Sequence, residues 1–142
     1  MRHFLNLFFS LICIFILAGC GKNTVQEVRT DYGSSSIFTK EDMDEAVDLI
    51  RKEFSKFEGC QLHRISYAGD EACNESNIAW MNELEAANDA QETFTQCMMF
   101  RTDFHSPKNA AGAWTPDHEY TDYHWWLARS DHGRWKLMTW GY

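Results

Sequence analysis

The sequence predicts an α+β domain: an N-terminal helix packed on a curved antiparallel sheet that ends in a C-terminal hairpin. Three observations predict it. A strong helical stripe comes early, a strand-forming stretch rich in Trp comes late, and the last two strand segments flank a tight turn. Helices first and paired strands after them is the order of α+β folds. No internal repeat is present, which excludes a stacked-repeat architecture.

The first element is a helix over residues 40–57. Thr39 stands at the cap, and Asp42 stands where a capping-box acid reaches back. Phe38 and Met43 fit a hydrophobic staple, and Glu41, Asp42, Asp44 and Glu45 suit the positive end of the helix dipole. Met43, Ala46, Val47, Ile50 and Phe54 make one apolar stripe, and Gly59 ends the element. Residues 60–67 follow as a strand whose mixed alternation indicates a bulge. Residues 68–71 form a turn. A second, weaker helix spans residues 75–87, with Ile78, Met81 and Leu84 or Glu85 on one face and Trp80 beside it. Residues 94–104 are a strand, and residues 105–117 a loop. The final strands, 120–130 and 134–140, flank Asp131-His132-Gly133. If Ser130 faces Trp135, then Trp125 faces Trp140 and Leu127 faces Met138 on one side, with Trp126 and Leu137 on the other. Both faces of that hairpin are apolar, so both need a cover: the core on one side, and a helix, partner or ligand on the other.

The N-terminal segment is a targeting signal. After Met1-Arg2-His3, an apolar run of 14 residues extends from Phe4 to Leu17, broken only by Asn6 and Ser10. That length suits a signal-peptide core and is short for a bilayer-spanning helix. The run closes on Leu17-Ala18-Gly19-Cys20, which resembles the lipobox of bacterial lipoproteins at all four positions. The resemblance implies that the Cys20 thiol takes a diacylglyceryl group and that cleavage before Cys20 makes it the new N-terminus, carrying palmitate-like acyl chains. Two or more chains anchor stably where one is reversible. The alternatives are an uncleaved membrane anchor and an ordinary signal peptide. The expected organisation is therefore a signal peptide over 1–19, a lipidated cysteine and flexible tether over 20–37, and one domain over 38–142. The expected location is the extracytoplasmic face of the cell membrane, held there by lipid on Cys20.

Charge and cysteine content narrow the partners. Losing residues 1–19 removes one basic residue, Arg2, and no acid, taking the net charge from −8 to −9. With no basic stripe, nucleic acid is not expected as a partner. Six Trp, five Tyr and ten Phe mark a folding chain rather than a disordered one. With Cys20 acylated and Cys13 in the signal, Cys60, Cys73 and Cys97 remain. An extracytoplasmic site permits one disulfide among them. Proximity in sequence suggests Cys60 with Cys73. The alternative is three small buried thiols.

The C-terminal stretch Tyr123-His124-Trp125-Trp126-Leu127-Ala128-Arg129, Gly133-Arg134-Trp135-Lys136-Leu137 and Trp140-Gly141-Tyr142 resembles uncharacterised lipoproteins of Gram-positive bacteria, of the domain-of-unknown-function type akin to the DUF4829 group. Phe104-His105-Ser106-Pro107-Lys108 and Tyr67-Ala68-Gly69-Asp70-Glu71 fit the same resemblance, which covers roughly residues 38–142. The layout is also similar to NTF2-like (cystatin-like) domains, in a lean version. These pack a long N-terminal helix and shorter ones into the hollow of a curved antiparallel sheet. Some members are enzymes using Asp or His in that hollow, and many are binding or assembly modules, so the fold alone implies no activity.

Two constellations are candidates for chemistry. His118, Asp122 and His124 share strand parity, with Tyr120 between them, and imidazole with carboxylate on one face suits acid–base work or a zinc site. Alternate strand positions lie about 7 Å apart, so chelation needs a further ligand such as His105 or His63 to converge. A polar strand face at the sheet rim is the favoured reading. Asp103 and His105, flanking Phe104, form either an acid–His dyad or a pair that caps the loop. No HExxH, CxxC, P-loop or Gly-x-Ser-x-Gly occurs, so no metal or cofactor is expected. Among the tryptophans Trp114 is expected to be exposed, as part of a sugar-stacking or apolar platform. Trp125, Trp126, Trp135 and Trp140 are expected in core or interface. The expectation is a membrane-anchored binding or interaction module, whose partner is a second copy or an envelope protein on the sheet face. The alternative is a small-molecule enzyme using His and Asp.

Overall fold

A computed structural model describes residues 27–131 and 133–142. The leader over 1–19, Cys20 and the tether as far as residue 26 lie outside the described residues, as does His132 of the terminal turn. The chain runs β1 (Arg29–Asp31), α1 (Lys40–Phe54), β2 (Gln61–Tyr67), a 3₁₀ turn (Asp70–Ala72), α2 (Glu75–Ala87), β3 (Gln96–His105), β4 (Glu119–Arg129) and β5 (Lys136–Gly141). The class is α+β. The sheet, however, is mixed: its order is β1-β2-β3-β4-β5, with β1 parallel to β2 and every other pair antiparallel.

The parallel edge departs from the expected antiparallel sheet and moves the domain start. Residues 29–31 belong to the sheet, so the stretch read as a tether over 20–37 contains a strand of the fold. Val28 and Tyr32 pack against the main core. Parallel neighbours need a crossover, and α1 supplies it between β1 and β2. Asp70 pins the segment between them: it accepts from Ser35 Oγ (2.5 Å), Ser36 N (2.8 Å) and Tyr67 Oη (2.8 Å).

Helix α1 starts as expected. Asp42 N donates to Thr39 Oγ1 at 3.2 Å, and Thr39 N donates to Asp42 Oδ2 at 3.0 Å. Met43, Ala46, Val47, Ile50 and Phe54 are its buried residues, and burial of each large one contributes about 1.5–3 kcal/mol. The helix ends at Phe54, three residues short of expectation, because Ser55 Oγ turns back onto the Lys52 carbonyl (2.7 Å) and the backbone tightens into turns through Phe57. Phe57 then stacks on Trp125 at 5.7 Å between ring centroids. Gly59, at φ +73°, follows in the left-handed region, and a Cβ there would meet Pro107 Cγ at 2.9 Å.

The two helices lie on opposite faces of the sheet. Alternate residues of β4 show it: Tyr123, Trp125 and Leu127 join α1 in the main core, whereas Trp126 and Ala128 join Met81 of α2 in a smaller cluster. An NTF2-like hollow holds its helices on one side, so this placement departs from that arrangement. The cover sought for the second face of the hairpin is α2. Trp80 meets Trp126 edge to face at 5.4 Å, and buried Glu85 takes Lys136 Nζ at 2.6 Å.

The hairpin register is half as expected. Trp125 faces Trp140, but Leu127 faces Leu137 rather than Met138. A register shift inserts Met138 into β5, and one extra residue reverses the faces beyond it. Leu137 therefore packs on the main core and Met138 on the α2 cluster. Gly133 N closes the turn onto the Ser130 carbonyl at 3.0 Å, and a Cβ at 133 would sit 2.3 Å from Ser130 Oγ.

Candidate functional site

The row His118–Asp122–His124 does not form. Thr102 pairs with Tyr123 and Phe104 with Tyr120, so β4 carries one extra residue there. Asp122 takes φ +59°, and its N–H is captured by Asp103 Oδ1 at 3.0 Å. The bulge breaks the alternation on which the shared face rested. His118 precedes β4 and sets its ring edge-on to Tyr120 at 4.9 Å. His124 stays near Asp122, at 3.6 Å from Nε2 to Oδ2, while Asp122 also pairs with Arg101 at 3.1 Å.

The Asp103–His105 pair separates too. The Asp103 carboxylate accepts from Arg64 Nε at 2.8 Å and from the Asp122 backbone. His105 lies between Asp117 and Glu119, each 3.0 Å from a ring nitrogen, and Glu119 also meets His63 Nδ1 at 3.1 Å. The hydrogen bonds to Asp117 and Glu119 raise the His105 pKa above its ordinary value. These contacts tie the ends of the 106–118 loop to the sheet, with Ser106 Oγ donating to the Thr115 carbonyl (2.5 Å) and accepting from His118 N (3.0 Å). His105 is thus a loop clamp. Among the described residues no group of three or more His, Cys, Asp or Glu is placed to hold a metal ion.

Trp125, Trp126 and Trp135 pack in the core clusters as expected, whereas Trp114 and Trp140 depart from their expected places. Trp114 is half-buried against Phe57, Phe104 and Tyr120, with centroids within 5.4 Å. Trp125 is fully buried and satisfies its indole N–H on Thr102 Oγ1 at 2.8 Å. Trp135 is buried and donates to Asp42 Oδ1 at 3.2 Å. The exposed ones are Trp80 (38 %) and Trp140 (39 %), joined by Tyr142 (78 %). With His124, Trp126, Thr139 and Gly141 they line a shallow cleft of about 110 Å³ at the β5 edge.

Rigid elements hold this aromatic shelf. Trp80 rises from α2 against Trp126, Trp140 lies stacked on buried Trp125 at 5.7 Å, and Tyr142 meets Tyr123 edge to face at 5.3 Å. Trp140 and Tyr142 pack on the α1 side of the sheet and Trp80 on the α2 side, so the three rings meet around the β5 edge, where each stays exposed. A larger cavity lies elsewhere, about 570 Å³ between α1 and the terminal hairpin, over Leu49 and Trp135. Its indole is already engaged by Phe38, Arg129 and Asp42, and its rim mixes Glu45 and Asp48 with Lys52 and Arg134. The shelf offers unspent aromatic surface, and that makes it the better candidate. Sequence patterning missed it because Trp80 and Trp140 carry no local mark of exposure. The weak apolar face of α2 was the available signal.

Fold and site together describe a small α+β scaffold with an aromatic shelf on one sheet edge. Comparisons with family models, with curated proteins and with solved structures find no match to this chain.

Proposed function

We propose that this chain is a lipid-anchored, extracytoplasmic binding module whose shelf of Trp80, Trp140 and Tyr142 takes a neutral ligand with a flat apolar face, of the glycan class. The anchor reading rests on Leu17-Ala18-Gly19-Cys20 at the end of a 14-residue apolar run. The binding reading rests on one observation: two indoles left over a third exposed line one cleft at the β5 edge, one from each side of the sheet. Isolated exposed apolar residues are ordinary, but a contiguous aromatic patch marks an interaction site. A cleft of about 110 Å³ is below the size that encloses a small molecule, so the ligand stacks on the shelf. An acidic chain, at −8 overall, disfavours anionic ligands and leaves a neutral pyranose as the fitting partner. Support for the loose NTF2-like likeness is limited to α1 against one sheet face and the terminal hairpin. A homodimer or envelope-protein contact would use this same edge, since α2 occupies part of the face opposite α1.

Two experiments test this reading. Labelled palmitate fed to expressing cells should enter the chain and be lost in Cys20→Ala; equal labelling of both chains refutes the anchor. Titration of the full chain in detergent with neutral N-acetylhexosamine and glucose oligosaccharides should quench Trp fluorescence, and Trp140→Ala and Trp80→Ala should each weaken binding about tenfold or more, as loss of a stacking hot spot does. Binding unchanged in both variants removes the shelf from the function.

The alternative, an acid–base enzyme, has one specific support. Asp122 lies 3.6 Å from His124, which lines the same cleft. His124→Ala that binds normally but loses turnover would establish it, and unchanged turnover would end it.

A further inference from the structure

The expected Cys60–Cys73 pair is excluded by the topology. Cys60 precedes β2 at the end where Gln61 faces His105, whereas the 3₁₀ turn that ends at Cys73 follows the other end of β2, where Tyr67 faces Phe100. The seven residues of β2 separate the two ends, about 23 Å at strand rise. A disulfide needs Cα atoms within about 7 Å.

Cys73 has a different neighbour. Cys97 lies near the start of β3, fully buried on the α2 face, and its thiol donates to the Ala72 carbonyl at 3.2 Å. Ala72 is the residue directly before Cys73. The Cys73 side chain packs into the same cluster as Cys97 and lies close enough to its thiol to influence its titration. We infer that Cys73 and Cys97 are a disulfide site, and that oxidation there locks α2, with Trp80, onto the sheet while Cys60 stays a free thiol.

The bridge would close a loop of 25 residues that contains the whole of α2. Without it, α2 buries only Met81 and Glu85, and it is fastened at its first turn by Asn74 and near its middle by Asn82, whose side chain exchanges hydrogen bonds with Phe94 N (2.7 Å) and O (3.1 Å). Cys73 is the entry point, because it is partly exposed and Cys97 is not. Its thiolate attacks an external disulfide of the glutathione or dithiol-oxidase class, forming a mixed disulfide and releasing one donor thiol. The Cys97 thiolate then displaces the second donor thiol. Two protein S–H groups become one S–S bond, and their two protons and two electrons reduce the donor disulfide to two thiols. Burial, and then the adjacent Cys73, push the Cys97 thiol up to about 12, so closure is slow until the 3₁₀ turn loosens. This inference stands apart from the glycan reading, since it concerns only how α2 is held.

The test is thiol mapping of the full chain equilibrated in oxidised glutathione, then alkylated under denaturing conditions and digested without reduction. The expected result is one cross-linked peptide pair joining Cys73 to Cys97, a mass lower by two hydrogens, and alkylated Cys60. The oxidised protein should melt about 10 °C above the reduced one. Cys73→Ser removes a partly exposed thiol and should fold, yet lose both the cross-link and the redox dependence of melting. Free Cys73 and Cys97 after equilibration, or a bridge that includes Cys60, overturns the inference, as does a Cys73→Ser chain that keeps the full melting shift.

Discussion

The α1 and α2 faces of the sheet divide the molecule unequally. On the α1 face the main core unites buried residues from α1, β2, β3 and β4 with Phe38 and Trp135, almost all of them large and many aromatic. On the α2 face the buried members of the cluster, among the described residues, are only Met81, Phe94, Cys97 and Ala128. Beyond it the same face turns polar, with Arg64 on Asp103 and Arg101 on Asp122. The difference begins in the helices. Helix α1 places five buried residues on one stripe, while α2 buries a methionine and a charged glutamate. Stability on one face is what lets the other remain lightly covered, with Trp80 toward solvent.

The largest break in this contrast is expected from Trp125→Ala. It removes a fully buried ring stacked by Phe57 and Trp140 and the indole N–H that the Thr102 hydroxyl accepts. A loss of about 3–5 kcal/mol in denaturant unfolding is expected; a loss under about 1 kcal/mol would mean that the α1 face does not carry the fold.

On the weaker face, Lys136→Met leaves the Glu85 carboxylate buried without its ammonium. The ion pair is half open to water, so the cost should be about 2 kcal/mol rather than that of a fully buried pair. Hydrogen exchange should quicken in α2 before β3. Restoration by a second change, Glu85→Gln, would sharpen the assignment, whereas uniform loss of protection would merge the two faces into one cooperative unit.

Gly59→Ala tests the turn that swings Phe57 onto the core. Positive φ and the approach of Pro107 predict about 1–2 kcal/mol of destabilisation in a melting series; an unchanged melting temperature would contradict the turn geometry.

Smaller still is Trp140→Ala, which removes a ring already 39 % exposed. About 1 kcal/mol is expected in the same denaturant series. A loss as large as that of Trp125→Ala would place Trp140 in the core rather than on the shelf.

Acid should reach the α1 face first. Burial pushes the Asp42 carboxyl up, but the Thr39 backbone N–H, the Trp135 indole and Arg129 outweigh it and hold the pKa below the ordinary value. Hydrogen bonds led by Ser35 Oγ hold Asp70 at about 2. For depressed carboxylates the stabilisation is present above the unfolded pKa, near 4, and is lost as pH falls through the folded value. Melting temperature should thus decline between about pH 4 and pH 2. Asp42→Asn should flatten that decline, and an equally steep slope in the variant would refute the assignment. His105 has the opposite sign: its raised pKa adds stability below about pH 6.5 that fades as pH rises through the folded value.

Much of the fold was legible in the chain. Helix α2 spans the expected residues, α1 begins at its capping box, and β2 to β5 fall within a few residues of their reading. These features rest on local signals: caps, apolar periodicity and turn residues. Strand β1 was missed because three residues with one short alternation carry little signal, and their pairing is with a strand some thirty residues on. The candidate site was hardly legible. Its expected members were placed by strict strand alternation, and one inserted residue at Asp122 broke it.

The sequence by itself determined the class, the order of elements and the apolar stripe of α1, because each follows from interactions among residues near in the chain. Tertiary structure alone decided which face each side chain occupies, which indoles reach water and which cysteine lies beside Cys73. Those outcomes depend on bulges that shift register by one residue and on pairings between distant strands. In a sheet of period two, a one-residue shift exchanges core for solvent.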